Sequence, residues 1–108
     1  MSKNKVRLFI CGDFCSTPSS SFISIASDLR SLIDSCNLKI CNFEGPVKSD
    51  GRKLNKIPPN IQQHPDVPDF IENMGFNVIS LANNHAFDYG DDGFLATQRA
   101  FRKAKVIG

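Results

Sequence analysis

Short apolar segments, each followed by polar residues, set the pattern of this chain. Residues 6–11, 38–41 and 77–82 are rich in aliphatic and β-branched side chains. They are too short to be lone helices, so we predict that they are buried strands. Segments with apolar residues at the helical period separate them, and residues 106–107 open a fourth strand. The sequence therefore predicts an α/β fold in the order β-α-β-α-β-α-β, in which right-handed crossovers make the sheet parallel.

Three helices are predicted between these strands, over residues 22–36, 65–75 and 91–103. Apolar residues recur in each at a spacing of about 3.6 positions, which favours one buried face per helix. The residues expected on the buried faces are Phe22, Ile25, Ala26, Leu29, Leu32, Ile33, Cys36, Val67, Phe70, Ile71, Met74, Phe94, Leu95, Thr97 or Gln98, and Phe101. We expect a single, doubly wound α/β domain over residues 1–108.

Length and composition limit the classes of function. The 108 residues are 41% hydrophobic and 22% charged, which is typical of one globular domain. A net charge of +2 does not favour nucleic acid or an anionic membrane as a partner. No apolar run approaches the roughly 20 residues of a membrane span, and the apolar run after residue 5 is too short for a signal peptide. We therefore predict no membrane span and a cytoplasmic location.

The cysteines could form two disulfides or a zinc site, but their spacing favours neither. Cys11, Cys15, Cys36 and Cys41 contain no C-x-x-C pair, and two of them lie inside predicted strands. A free thiol in such a strand behaves as a small apolar side chain. We predict that all four are reduced and structural, as is usual in the cytoplasm.

Polar side chains follow three of the predicted strands. Asp13 comes after the first strand, Glu44 after the second, and Asn83, Asn84 and His85 after the third. A turn-forming role would be enough to explain any one of these residues, since Asp and Asn favour turns. Because the carboxyl ends of parallel strands meet at one edge of a sheet, where ligands collect, three such clusters together predict a functional site.

Three other features of the sequence bear on its chemistry. The irregular loop of residues 50–60 lies beside this site in the chain, and such loops often contact substrate. His64 precedes a predicted helix start, where capping or a surface role is expected rather than metal binding. Residues 12–15 lack the G-x-G-x-x-G pattern of a dinucleotide-binding domain, which argues against that alternative.

The polar segments together resemble a known family. Gly12-Asp13, the segment 42–46, the segment 74–90, Gly93 and Thr97 are similar to the CapA family of poly-γ-glutamate capsule-biosynthesis proteins, within the calcineurin-like metallophosphatase superfamily. The resemblance implies the amino-terminal half of a metallophosphatase-like α/β sandwich. It implies that Asp13, Glu44 and Asn84 bind metal. It also implies that His85 contacts phosphate or donates a proton, and that Asp88 orients His85.

The resemblance implies a metal-dependent hydrolase, phosphoesterase-like, acting on an unknown polymer or phosphoester. Oxygen ligands favour Mn, Mg or Fe, whereas later His ligands would admit Zn. The family domain is longer and supplies further His ligands from its second half. We therefore expect divalent metal ions to bind weakly to this chain, the chain alone to be inactive, and an exposed sheet edge to allow self-association. The alternative is a non-catalytic binding or scaffold module in cell-surface polymer assembly.

Overall fold

A four-stranded, all-parallel sheet forms the framework of the computed structural model, which describes residues 4–108. The strands lie in the spatial order β1-β2-β3-β4. Three helices and a short 3₁₀ turn, Ser20–Phe22, connect them. The element bounds are β1 Leu8–Phe14, α1 Ser27–Asp34, β2 Leu38–Phe43, α2 Val67–Asn73, β3 Val78–Ser80, α3 Gly90–Ala100 and β4 Lys105–Ile107. The predicted α/β class, the element order and the parallel sheet are confirmed.

The order of the four strands within residues 4–108 has no reversal, so this sheet is not doubly wound as predicted. Right-handed crossovers that all step in one direction place their helices on one face of the sheet. A single core cluster agrees with that arrangement, because Ile33 of α1 and Ile71 of α2 pack with Ile79 of β3. Phe43 of β2 packs edge-on against Phe101, which follows α3, with ring centroids 5.1 Å apart. All described core packing therefore lies on the helix-bearing face.

The first helix is shorter than predicted. It begins at Ser27, and Phe22 is 82% exposed in the preceding 3₁₀ turn. Asp66 explains the difference, because its carboxylate accepts hydrogen bonds from the Ser19 hydroxyl at 2.5 Å and the Ser20 N–H at 2.9 Å. These bonds hold residues 19–20 against the start of α2 and lower the pKa of Asp66 to about 2. Of the residues predicted to be buried in this helix, Leu29 and Leu32 are also exposed.

The third helix ends at Ala100 and not at residue 103. The Glu72 carboxylate of α2 accepts hydrogen bonds from the backbone N–H groups of Lys103 and Ala104, at 2.6 and 2.7 Å. Burial opposes ionisation of Glu72, but these bonds outweigh it and lower its pKa. The chain is thereby held in a turn that leads into β4. Leu95, predicted to be buried in this helix, is exposed, whereas Thr97 and Phe101 are buried.

Strand β1 runs further than predicted. It continues to Phe14 because the register with β2 shifts between Ile10 and Asp13, where the strand bulges. Asp13 therefore lies within the strand, paired with Asn42, and not in the turn after it. The bulge carries the polar end of β1 to the same level as the end of β2.

The second face of the sheet is apolar and uncovered within the described residues. We call the set Leu8, Ile10, Leu38, Ile40, Val78 and Ile107 the open face; its members alternate along the strands with residues of the helix-bearing side. Ile10 is 71% exposed, whereas Ile40 and Val78 are half-buried. The register places Ile10 beside Ile40 and Ile40 beside Val78, so the apolar surface is continuous. Parallel sheets are normally covered on both faces. Residues 4–108 contain no helix with the length and apolar character needed to cross a membrane.

We predict that the purified chain self-associates through the open face, since contiguous exposed apolar surface is a site of association. Ile10→Lys should shift the chain toward monomer in analytical ultracentrifugation, because an ammonium group cannot be buried there without a partner. Ile57→Lys is the matched control, since Ile57 is 89% exposed but lies in the irregular loop. Equal effects of the two variants, or a wild-type chain that is monomeric at all concentrations, would contradict this prediction.

Candidate functional site

The turn after β3 carries the central residues of the candidate site. Strand β3 ends at Ser80, and α3 begins at Gly90, whose φ of 72° suits glycine. Between them, backbone hydrogen bonds from the Ala86 N–H to the Asn83 carbonyl and from the Asp88 N–H to the His85 carbonyl fold the chain into successive turns. These turns bring the side chains of His85 and Asp88 onto the same side.

Asp88 fixes the orientation of His85. The Asp88 Oδ2 atom lies 2.6 Å from His85 Nδ1, and the Asp88 side chain is only 1% exposed. The same carboxylate accepts the Ile61 N–H at 2.6 Å and pairs with Lys56 Nζ at 2.5 Å. Burial opposes ionisation of Asp88, but the hydrogen bonds from Lys56, Ile61 and His85 outweigh it and lower its pKa. Asp88 is therefore an ionised carboxylate that accepts a hydrogen bond from His85 Nδ1–H, which leaves His85 Nε2 directed away from it.

The second nitrogen of His85 faces Glu44. His85 Nε2 lies 4.0 Å from Glu44 Oε1, and Glu44 directly follows β2. The Glu44 side chain is partly exposed, whereas His85 is buried. A buried imidazole held at one nitrogen and open toward a carboxylate at the other can accept or donate a proton at Nε2.

A chain of amide side chains joins the ends of the first three strands. Asn83 Nδ2 donates to the Phe43 carbonyl at 2.9 Å and to Asn42 Oδ1 at 3.2 Å. Asn42 Nδ2 in turn donates to Asp13 Oδ1 at 2.6 Å. Asn83 Oδ1 also accepts the His85 N–H at 3.1 Å. Asp13 is therefore connected to the turn that carries His85, through two amides.

The structure thus places the predicted site residues at one edge of the sheet but does not bring all of them into contact. Glu44, His85 and Asp88 form a contiguous row, and Asp13 lies at the far end of the amide chain. Asn84 lies on the exposed side of the turn. Within residues 4–108, no three His, Cys, Asp or Glu side chains are grouped closely enough to hold a metal ion.

The four cysteines are free thiols and contribute no ligand group to the described residues. Cys41 is buried in β2, and burial, with a smaller effect of the neighbouring Cys11, raises its pKa to about 12. Cys15 is exposed at the end of β1, yet its pKa is also raised, by partial burial and by the nearby carboxylates Glu44 and Asp13. None of these raised pKa values favours a thiolate.

Several residues that organise the site were not predicted. The loop of residues 50–60 folds against the turn after β3, where the Leu54 N–H and Asn60 Nδ2 donate to the Asp88 carbonyl. Lys56 of this loop reaches both Asp88 and, at 3.4 Å, His85 Nδ1. These contacts join residues about 30 positions apart with no periodic pattern between them. The Asn-Asn pair was visible in the sequence, but nothing in it indicated that Asn83, and not Asn84, points inward.

We predict that Asp88→Asn lowers the free energy of unfolding by about 1–3 kcal/mol at pH 7, because Lys56 loses its counterion and a buried acceptor becomes uncharged. The pKa of Asp88 is lowered in the folded chain, so the stabilisation is present above its ordinary value of 3.8. It is lost as the pH falls through the lower folded value. Urea unfolding of both proteins between pH 7 and pH 3 checks this.

The control is Asp34→Asn, which removes an exposed carboxylate paired with Arg30 on α1. It should cost little at any pH. If Asp88→Asn were as mild as Asp34→Asn, or if its cost grew on acidification, the buried carboxylate would not have the role described.

Comparison with known proteins identifies the family of this chain. The family described as "Bacterial capsule synthesis protein PGA_cap" matches residues 7–108. A relative, "Capsule biosynthesis protein CapA" of Bacillus anthracis, is 38% identical over 68 residues. That alignment covers 60% of this chain and 16% of the relative. Because the family match covers nearly the whole sequence, the chain belongs to the PGA_cap family of bacterial capsule synthesis proteins.

Proposed function

We propose that this chain contributes a proton-transfer and anion-binding site to capsule-polymer processing, as part of a metal-dependent hydrolytic activity completed by residues that these 108 do not supply. The observation that carries the proposal is the row Asp88, His85 and Glu44. It presents one imidazole nitrogen toward Glu44, which follows β2, and holds the other against a buried carboxylate.

His85 has the central role in this proposal. With Nδ1 bound to Asp88, Nε2 is the nitrogen of His85 that is free to exchange a proton. From Nε2 it can protonate a leaving-group oxygen or bind an anionic group of the substrate. Glu44, 4.0 Å away, can accept the proton that Nε2 carries. Asp88 acts as a positioning residue, since it touches His85 and is itself almost fully buried.

The metal part of the proposal assigns oxygen ligands to Asp13, Glu44 and Asn84. Carboxylate and amide oxygens are the donor types that Mg²⁺ and Mn²⁺ bind. The donors are not preassembled, because Asp13 is bonded to Asn42, Asn84 is exposed, and the described residues contain no group of three metal-binding side chains. These residues alone do not make a complete coordination shell.

The incomplete ligand group also favours a second candidate, a non-catalytic binding or scaffold module in polymer assembly. The two candidates differ in what His85 does. A hydrolase needs His85 to exchange a proton during turnover, whereas a binding module needs only its shape and its hydrogen-bonding atoms. His85→Gln keeps a polar side chain of similar size, so it should leave polymer binding intact in both cases. It should abolish turnover, measured where the missing metal ligands are supplied, only in the first case.

We predict that the chain binds Mn²⁺ weakly and that Asp13→Asn weakens this binding further, because the few oxygen ligands then lose a charge. Isothermal titration calorimetry measures both affinities. Asp28→Asn is the control, since Asp28 lies at the start of α1 in a different part of the chain. We also expect the 108-residue chain not to turn over p-nitrophenyl phosphate.

Two results would contradict this proposal. Tight zinc binding that survives Asp13→Asn but is lost in Cys11→Ser would show a thiolate site in place of an oxygen site. Metal-dependent hydrolysis of p-nitrophenyl phosphate by the 108 residues alone, lost in His85→Ala, would show that the site is complete without further residues.

A further inference from the structure

Residues 61–64 form an extended segment, which we call the strap, that crosses the carboxyl ends of three strands. At one end of the strap, the Ile61 N–H donates to Asp88 Oδ2 at 2.6 Å, beside His85. At the other end, the His64 N–H donates to the Ser16 carbonyl at 2.9 Å, just after β1. The strap therefore contacts both the turn that carries His85 and the segment that follows Asp13.

Gln63 is the residue of the strap that joins β1 to β2. Its side chain is fully buried, with a relative exposure of 0%. Gln63 Nε2 donates to the carbonyls of Phe14 and Glu44, both at 2.8 Å, and Gln63 Oε1 accepts the Ser16 N–H at 3.0 Å. One carboxamide thus uses both of its donor hydrogens and its acceptor to hold the ends of two neighbouring strands together.

The backbone of Gln63 adds to this hold. Its N–H donates to the Pro46 carbonyl and its carbonyl accepts the Lys48 N–H, both at 2.8 Å, which makes an isolated parallel bridge with Val47. The strap also lies so close to Gly45 that a Cβ there would meet Ile61 Cγ2 at 2.8 Å, at a φ of +78°. Only glycine fits that position without displacing the strap.

We propose that Gln63 is a positioning residue of the site: it sets the separation between Glu44 and His85 by fixing the backbone of Glu44 to a strap whose other end is bonded to Asp88. The proposal rests on the function assigned above to Glu44 and His85. A buried carboxamide with three partners is held in one geometry, because each group left unpaired would carry the full cost of burial. Asp88 orients His85, and Gln63 places the group that His85 faces.

The test measures how strongly Glu44 acts on His85. At pH 8, Glu44→Gln removes a charge 4.0 Å from His85 Nε2, so it should shift the Nε2 resonance in the ¹⁵N spectrum. Met has a side chain of similar length to Gln but without its amide hydrogen-bonding groups. In a protein that carries Gln63→Met, we expect the Nε2 shift caused by Glu44→Gln to fall to less than half of its value with Gln63 in place. The amides of Ser16 and Glu44 should also exchange with solvent faster, by about tenfold or more, than in the wild type.

Thr97→Val is the matched control. Thr97 is a buried polar residue that donates to the Gly93 carbonyl and accepts the Val47 N–H, but it does not touch the ends of β1 or β2. It should lower stability while leaving the effect of Glu44→Gln on Nε2 unchanged. If Gln63→Met does not fold, Gln63→Asn replaces it, because the shorter amide cannot reach both carbonyls.

The proposal would be overturned by a folded Gln63 variant in which Glu44→Gln still shifts the Nε2 resonance as much as in the wild type, and in which the amides of Ser16 and Glu44 exchange at the wild-type rate. It would also be overturned if Thr97→Val reduced the Nε2 shift caused by Glu44→Gln as much as Gln63→Met does. The reduction would then follow from lower stability alone. Neither measurement involves metal binding or turnover. A failure of the hydrolytic proposal therefore leaves this test unaffected, and a failure here does not decide whether the chain has hydrolytic chemistry.

Discussion

The buried carboxylate of Asp88 is the constraint on which the rest of the site depends. A carboxylate that is almost fully buried is stable only with several donors, and here Lys56, the Ile61 N–H and His85 supply them. Each donor comes from a different part of the chain. The irregular loop, the strap and the turn after β3 therefore converge on the Asp88 carboxylate, because its buried charge needs a donor from each of them. His85 is oriented as a consequence.

This arrangement explains why the polar edge of the sheet is ordered although most of it lies outside regular elements. Strands β1, β2 and β3 bring their carboxyl ends together by parallel pairing alone. Pairing does not fix the segments beyond the strand ends. Amide side chains do this: Asn83 and Asn42 link the ends of β3, β2 and β1, and Gln63 links β1 to β2 from the other side.

The sequence was sufficient for the features that depend on periodicity. The strands, the parallel order and α2 follow from apolar patterns that local residues determine, and the edge of the sheet that carries Asp13, Glu44 and His85 follows from the strands. The predicted bounds were wrong where a distant side chain intervened. Asp66 replaces the first turns of α1 with a 3₁₀ turn, and Glu72 ends α3 early, each through backbone N–H groups that no local pattern reveals.

The same reason accounts for the residues of the site that were not predicted. Lys56 and Gln63 lie in a segment without periodicity, and their roles depend on contacts across 19 to 49 positions. The doubly wound arrangement was also predicted wrongly, because the order of strands in a sheet is not encoded in the pattern of any one strand. The open face of the sheet is a consequence of that order, since every described helix packs on the opposite side.

The tautomer of His85 tests the central claim most directly. Long-range ¹H–¹⁵N correlation spectra at a pH where the ring is neutral distinguish a proton on Nδ1 from a proton on Nε2. Because Asp88 is a buried carboxylate 2.6 Å from Nδ1, the account predicts the Nδ1–H tautomer in the wild type, and its loss in Asp88→Ala. An Nε2–H tautomer in the wild-type chain would mean that Nδ1 accepts a hydrogen bond from Lys56 Nζ instead, and that Asp88 does not orient His85.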